Sequence, residues 1–273
     1  MVLQRAYRDV IRPPLKAAAK TVCRQLGFEV TRLEALAEIP KRPHAAELLK
    51  PIQPWNTITW FDELYSQFHR RTLVAKVDCF MLYQLMEHAA SAEGDVAEVG
   101  VYKGGTAMLL AHLARMQKKQ LHLFDTFKGM PPTDPEKDWH KEGDFSDTTL
   151  QSVQQFLQSY SNVQIYAGLF PETAGPIEEA RFSFVHVDVD IYASVKSCCD
   201  FFYDRITEGG VIVFDDYGKV TCLGAKQAVD EFFMGKREKP FYLPTGQSFL
   251  IKRTQSAFSG GSMPSANVLP SAI

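Results

Sequence analysis

The chain has 273 residues, 45% of them hydrophobic, and a formal net charge of −2. That length holds one large α/β domain plus extensions, and near-neutral charge gives no electrostatic reason to expect nucleic acid as a partner. Five cysteines (Cys23, Cys79, Cys198, Cys199 and Cys222) without C-x-x-C spacing fit a reducing, cytoplasmic setting. There is no run of about 18 apolar residues and no apolar leader core, so neither a membrane span nor a secretory signal is expected.

Residues 1–57 are expected to be a helical extension and connector. Pro13-Pro14 divides a basic segment, and a helix is expected over 16–26. A peripheral helix packed on the domain is the simpler reading; contact of this basic surface with an anionic membrane is the alternative. Pro40, Pro43, Pro51 and Pro54 mark an irregular connector over 38–57. A domain is expected over 58–253, and the Ser-, Gly- and Pro-rich tail 254–273 is expected to be disordered.

Within the domain, apolar residues recur at helical spacing from Trp60 to Ala92. Strands are then predicted over 95–101, 120–126, 163–167, 182–189 and 210–214, alternating with helices over 106–117, 149–159, 194–205 and 226–234. Such alternation implies a parallel sheet with right-handed crossovers. Segments 241–243 and 248–252, separated by Pro244-Thr-Gly246, predict a closing hairpin with an antiparallel strand. The apolar stretch Trp55, Ile58, Trp60, Phe61, Leu64 and Phe68 would suit contact with a second copy of the chain.

The first strand turns into its helix through Glu98-Val-Gly100-Val-Tyr102-Lys-Gly104-Gly105-Thr106. Glycines there let backbone approach a ligand, and a helix N-terminus favours oxygen-rich groups. The spacing matches neither G-x-G-x-x-G nor G-x-x-x-x-G-K-[ST]. It suits a ligand without a diphosphate, such as S-adenosylmethionine, although tight packing would explain it equally well. Asp125 ends the second strand about twenty residues beyond Gly104, where a carboxylate can accept ribose hydroxyls. Capping of the Thr126 turn is its bland alternative. Phe127 would lie beside an adenine or anchor the loop, and Gly168, ending the third strand, offers a further edge for the base.

Asp188 and Asp190 follow one strand, and Asp215 and Asp216 follow the next. In a parallel sheet they converge at the C-terminal edge, where their repulsion calls for a hard cation of the Mg²⁺ type. Helix capping would account for any one of them. His186, within the strand, reads as a satisfied core histidine. Segment 128–147 is too long for an ordinary connection and reads as a lid with Trp139 or His140 facing the acceptor, or as a surface excursion.

Glu98-Val-Gly-Val-Tyr-Lys-Gly-Gly, Phe124-Asp-Thr-Phe-Lys-Gly-Met-Pro, Gly168-Leu-Phe-Pro-Glu-Thr, His186-Val-Asp-Val-Asp-Ile-Tyr and Val213-Phe-Asp-Asp-Tyr occur in that order. Together, over roughly 60–253, they resemble the macrocin O-methyltransferase (TylF-like) family. The resemblance implies an α/β fold with a class I methyltransferase, Rossmann-like sheet: mostly parallel, with an antiparallel terminal strand and helices on both faces. It also implies S-adenosyl-L-methionine as donor, Mg²⁺, and methylation of a sugar hydroxyl. Carried over residue by residue, it places the metal on Asp188, Asp215 and Asp216, with Asp188 also a candidate base. The family's glycine between the first two acids is Val189 here, so Asp188 and Asp190 both stay open as ligands. A catechol-like diol as acceptor, or a catalytically silent S-adenosylmethionine-binding protein, are the alternatives.

Overall fold

The predicted strands pair into one sheet in the computed structural model, which describes residues 53–253. They are Asp95–Val99 (β1), Leu121–Asp125 (β2), Val163–Ala167 (β3), Phe182–Val187 (β4), Ile206–Phe214 (β5), Phe241–Tyr242 (β6) and Ser248–Ile251 (β7). The helices are Thr59–Phe68 (α1), Lys76–His88 (α2), Gly105–Met116 (α3), Leu150–Phe156 (α4), Tyr192–Phe202 (α5) and Leu223–Phe233 (α6). The helix expected over 16–26, most of the connector and the tail 254–273 lie outside the described residues.

Strand order is β3-β2-β1-β4-β5-β7-β6. β1 pairs in parallel with both β2 and β4, so the winding reverses there and opens a crevice beyond the strands' C-terminal ends. β7 runs antiparallel between β5 and β6, which seats the hairpin as expected. All six positions of β4 are buried, as a strand covered on both faces requires. Alternate strand residues feed two cores. Val96, Leu121, Phe184 and Val213 pack with α1–α3. Ala97, Phe124, Val185 and Phe214 pack with α5 and α6.

Several boundaries differ from the sequence reading, three of them near the site. β4 stops at Val187, leaving Asp188 just beyond it, and α5 begins at Tyr192, two residues ahead of its predicted start. β5 begins earlier, at Ile206, because Ile206 pairs with Phe182 ahead of an irregularity between Phe182 and Phe184. The apolar face of α1 turns inward: Phe61, Leu64 and Phe68 are buried in the chain's own core. Trp60, 37% exposed, stays at the surface beside Tyr83. Among the described residues, no helix is long and apolar enough to cross a membrane.

Gly100 ends β1 with φ +91°, and a Cβ built there would lie 1.7 Å from the carbonyl oxygen of Asp188. No side chain fits where the ends of β1 and β4 pass. Gly100→Ala is expected to destabilise the fold by about 3 kcal/mol or more. Denaturant melts check this; a loss under about 1 kcal/mol would mean that the crossing loosens cheaply.

Candidate active site

A cavity of about 350 Å³ opens at the C-terminal edge of β1, β2 and β4. Gly100, Tyr102 and Thr106 line it from the turn after β1, and Asp125, Thr126 and Gly168 from the ends of β2 and β3. Asp188, Asp190 and Asp216 face it from the other side. Donor-type and acid-type residues named from sequence thus share one space.

Other candidates lie outside its wall, for identifiable reasons. Glu98 is fully buried, and its Oε1 sits 2.8 Å from Nδ1 of His186. It points into the core because strand side chains alternate. Gly104 and Gly105 shape the turn: a Cβ on Gly105 would lie 2.6 Å from Cβ of Thr72. Phe127 is also buried, in the core shared with α1–α3, and anchors the loop.

Asp125 braces the turn. Its Oδ2 accepts the backbone N–H groups of Val101 and Tyr102, both at 2.8 Å, and its Oδ1 accepts that of Phe127 at 2.6 Å. A carboxylate has roughly four acceptor positions, so about one remains for a ligand hydroxyl.

Oxygen atoms of Asp188, Asp215 and Asp216 lie within 4.8 Å of one another. Asp190 turns away from them. Its φ of +58° aims the carboxylate at Cys222, while its N–H donates to Oδ2 of Asp216 at 2.9 Å. Nor does Asp190 cap α5; Oδ1 of Asp138 accepts the Tyr192 N–H instead, at 2.8 Å. Asp215 is wholly buried behind Asp216, where Lys219 donates to its Oδ2 and Gln247 to its Oδ1. Lys219 Nζ also lies 3.6 Å from Asp216. Sequence reading missed Lys219 as a cation built into the acid cluster, because it reaches Asp215 through the turn after β5 and not along a helix face. Gln247 carried no signal at all.

The 128–147 segment is a folded excursion. The Met130 N–H donates to the Asp144 carbonyl at 2.7 Å, and Tyr102 Oη donates to Asp147 at 2.8 Å. Gly224 admits Asp138: a Cβ there would meet Oδ1 of Asp138 at 2.3 Å. Of the two side chains expected to face the acceptor, His140 lines the cavity, while Trp139 is 74% exposed.

The model of the macrocin-O-methyltransferase (TylF) family matches residues 73–239, more than half of the chain. The chain belongs to this family. It is 26% identical over 155 residues to mycinamicin III 3''-O-methyltransferase of Micromonospora griseorubida, covering 51% of this chain and 60% of that protein. It is 24% identical over 153 residues to demethyldecarbamoylnovobiocin O-methyltransferase of Streptomyces niveus, covering 51% and 58%. The matched part thus spans under two thirds of these relatives. Among solved structures it is similar to the O-methyltransferase NovP (TM-score 0.57, 19% identity, 67% of this chain and 84% of that one). It is also similar to the calicheamicin methyltransferase CalS11 (TM-score 0.59, 16% identity, 82% and 97%). The fold is that of class I methyltransferases.

In this TylF-family chain the acids are electrostatically crowded. Burial first, then Asp215 and Asp216, push Asp188 well above the usual carboxylate range. Burial and the neighbouring Asp216 push Asp190 up to about 8, and burial and Asp215 raise Asp216. Burial works against the charge of Asp215 too, but His186 and Lys219 outweigh it and hold that carboxyl low. His186 is a core histidine as expected, its Nδ1 paired with Glu98 and its Nε2 3.5 Å from Asp215 without a hydrogen bond; burial lowers it, yet Asp215 and Glu98 prevail and raise it to about 10.

A histidine whose pKa is raised on folding adds stability that is complete below about 6.5 and lost as pH climbs through its folded value. The stability gap between the wild type and His186→Gln is therefore expected to be widest at pH 6 and to narrow toward pH 10. Melts across that range check it, and a gap that widens with pH would reverse the assignment of charge.

Proposed function

We propose that this chain moves a methyl group from S-adenosyl-L-methionine to a hydroxyl of a sugar or glycosylated small molecule, with Mg²⁺ bound beside the donor. What carries the reading is that Asp188 and Asp216, with Asp215 buried behind them, share one cavity with the turn after β1. The glycoside relatives support the choice of acceptor. Backbone at Gly100 and Tyr102, with Thr106 and Gly168, would cradle the donor, and the remaining acceptor position of Asp125 would take one ribose hydroxyl.

Asp188, Asp215 and Asp216 fit Mg²⁺, which prefers oxygen donors at about 2.0–2.1 Å and leaves positions for other ligands. Burial and mutual repulsion push Asp188 and Asp216 up, and a bound cation would relieve that repulsion. Bound there, the ion would lower the pKa of a sugar hydroxyl and orient it; the donor supplies an electrophilic methyl on sulfonium. Asp188 faces the cavity and takes the proton the hydroxyl gives up as its oxygen bonds to the methyl carbon and the C–S bond breaks. His140 and Phe145 wall the space. Holding both reactants in line can remove roughly 7–11 kcal/mol from the barrier. A cytoplasmic location accompanies this reading, on cysteine usage.

Titration calorimetry with S-adenosylhomocysteine, with and without Mg²⁺, tests it. Donor binding together with metal binding is expected. Donor binding alone would favour a silent module, and no donor binding would remove the assignment. Turnover of catechols but not glycosides would move the acceptor to a planar diol.

A further inference from the structure

A second group of ligand-type side chains lines the cavity, distinct from the oxygen-only cluster. His140 Nε2, Asp190 Oδ1 and Cys222 Sγ lie mutually close: 3.7 Å from nitrogen to oxygen, 3.9 Å from sulfur to nitrogen, and 3.5 Å from sulfur to oxygen. We propose that these three residues form a thiophilic divalent-cation site, suited to Zn²⁺, that fastens the 128–147 loop over the cavity.

The distances argue for it. Tetrahedral zinc, with Zn–S near 2.3 Å and Zn–N or Zn–O of about 2.0–2.1 Å, sets its ligand atoms about 3.3–3.6 Å apart. The observed triangle needs contraction of only a few tenths of an ångström.

Each ligand is already aimed. The positive φ of Asp190 and its N–H bond to Asp216 turn its carboxylate toward Cys222. Cys222 sits in the N-cap position of α6, its N–H held by the Lys219 carbonyl at 3.0 Å. The other ring nitrogen of His140, Nδ1, lies 3.4 Å from Oδ2 of Asp144. A carboxylate behind a histidine is the usual second support of a zinc ligand, fixing the tautomer that presents Nε2.

Ligand softness separates the two sites. A thiolate and an imidazole select zinc-like ions, whereas the carboxylates of Asp188, Asp215 and Asp216 suit Mg²⁺. Three protein ligands leave a fourth position, and all three side chains line the cavity. His140 belongs to the excursion, Asp190 follows β4, and Cys222 heads α6. One ion would therefore tie the excursion to the sheet edge.

Cobalt as a zinc surrogate gives a readout independent of methyl transfer. The full-length chain, held in excess Mg²⁺ and without donor, would be titrated with Co²⁺. Expected is one equivalent bound, with a thiolate-to-cobalt charge-transfer band that Zn²⁺ abolishes by displacement. Cys222→Ser should remove the band while circular dichroism is unchanged. Asp144→Asn should weaken Co²⁺ affinity by about 10–100-fold through loss of the histidine's support. No band in the wild type, or the same band in Cys222→Ser, would overturn the proposal. If Cys222→Ser misfolds, His140→Gln decides: its Co²⁺ affinity must fall at least 10-fold, and an unchanged affinity would equally overturn it. Loss of donor binding in calorimetry would leave the cobalt result standing, so the two readings fail separately.

Discussion

Asp188→Asn is expected to lower methyl transfer by about 10²–10⁴-fold, the range typical for removal of a positioned proton acceptor. Asparagine keeps the shape but cannot take the hydroxyl proton, and it weakens the negative field at the cation position. Donor affinity should survive, because Thr106 and Asp125 line the cavity from other elements and Gly100 meets only the backbone of Asp188, which the substitution leaves in place. Single-turnover rates with saturating glycoside, beside calorimetry with S-adenosylhomocysteine, separate the two effects. Retention of the wild-type rate would deny Asp188 its role. Loss of donor binding along with rate would indicate a collapsed pocket, since the Asp188 backbone packs against Gly100.

Lys219→Met should change how strongly the acid cluster holds Mg²⁺. The ammonium donates to Asp215 and lies near Asp216, so in the wild type a dication must enter beside it or displace it. Repulsion between a monocation and a dication a few ångströms apart amounts to several kcal/mol at an effective dielectric near 20. Swinging the lysine outward relieves much of this, because its side chain is already 35% exposed. A gain of about 10–100-fold in Mg²⁺ affinity, near 1.4–2.8 kcal/mol, is expected for the variant. Its metal-free form should melt below the wild type, as buried carboxylates lose their counter-ion. Calorimetric Mg²⁺ titration and melting with and without EDTA measure both. Weaker Mg²⁺ binding in the variant would mean that the lysine helps hold the ion instead of opposing it.

Local pattern carried much of this fold. Strand–helix alternation from Asp95 onward and the closing hairpin are signals written within short windows, and they give the parallel sheet and its antiparallel strand, while the strand order appears only in the folded chain. The acids at the ends of β4 and β5 were legible for the same reason: each ends a buried apolar run. What stayed hidden depends on distant chain meeting the site. Asp125 braces three backbone amides supplied partly by the turn after β1, and no single window contains both partners. Asp138 caps α5 from 54 residues away, which left Asp190 free for another role. Glu98 looked like a ligand residue because it opens a glycine motif; its strand phase aims it at His186. The repulsion attributed to a missing hard cation is in fact partly relieved by Lys219, whose meaning appears only once the turn after β5 is folded.

The seat of Gln247 has a consequence for biosynthesis. Its amide reaches Asp215 at the very start of β7, and β7 must slot between β5 and β6. A nascent chain halted after β5 would expose the edge of that strand and leave Asp215 without this donor. Asp215 thus gains its full set of partners only once β7 is made and seated, with that strand acting as the bolt.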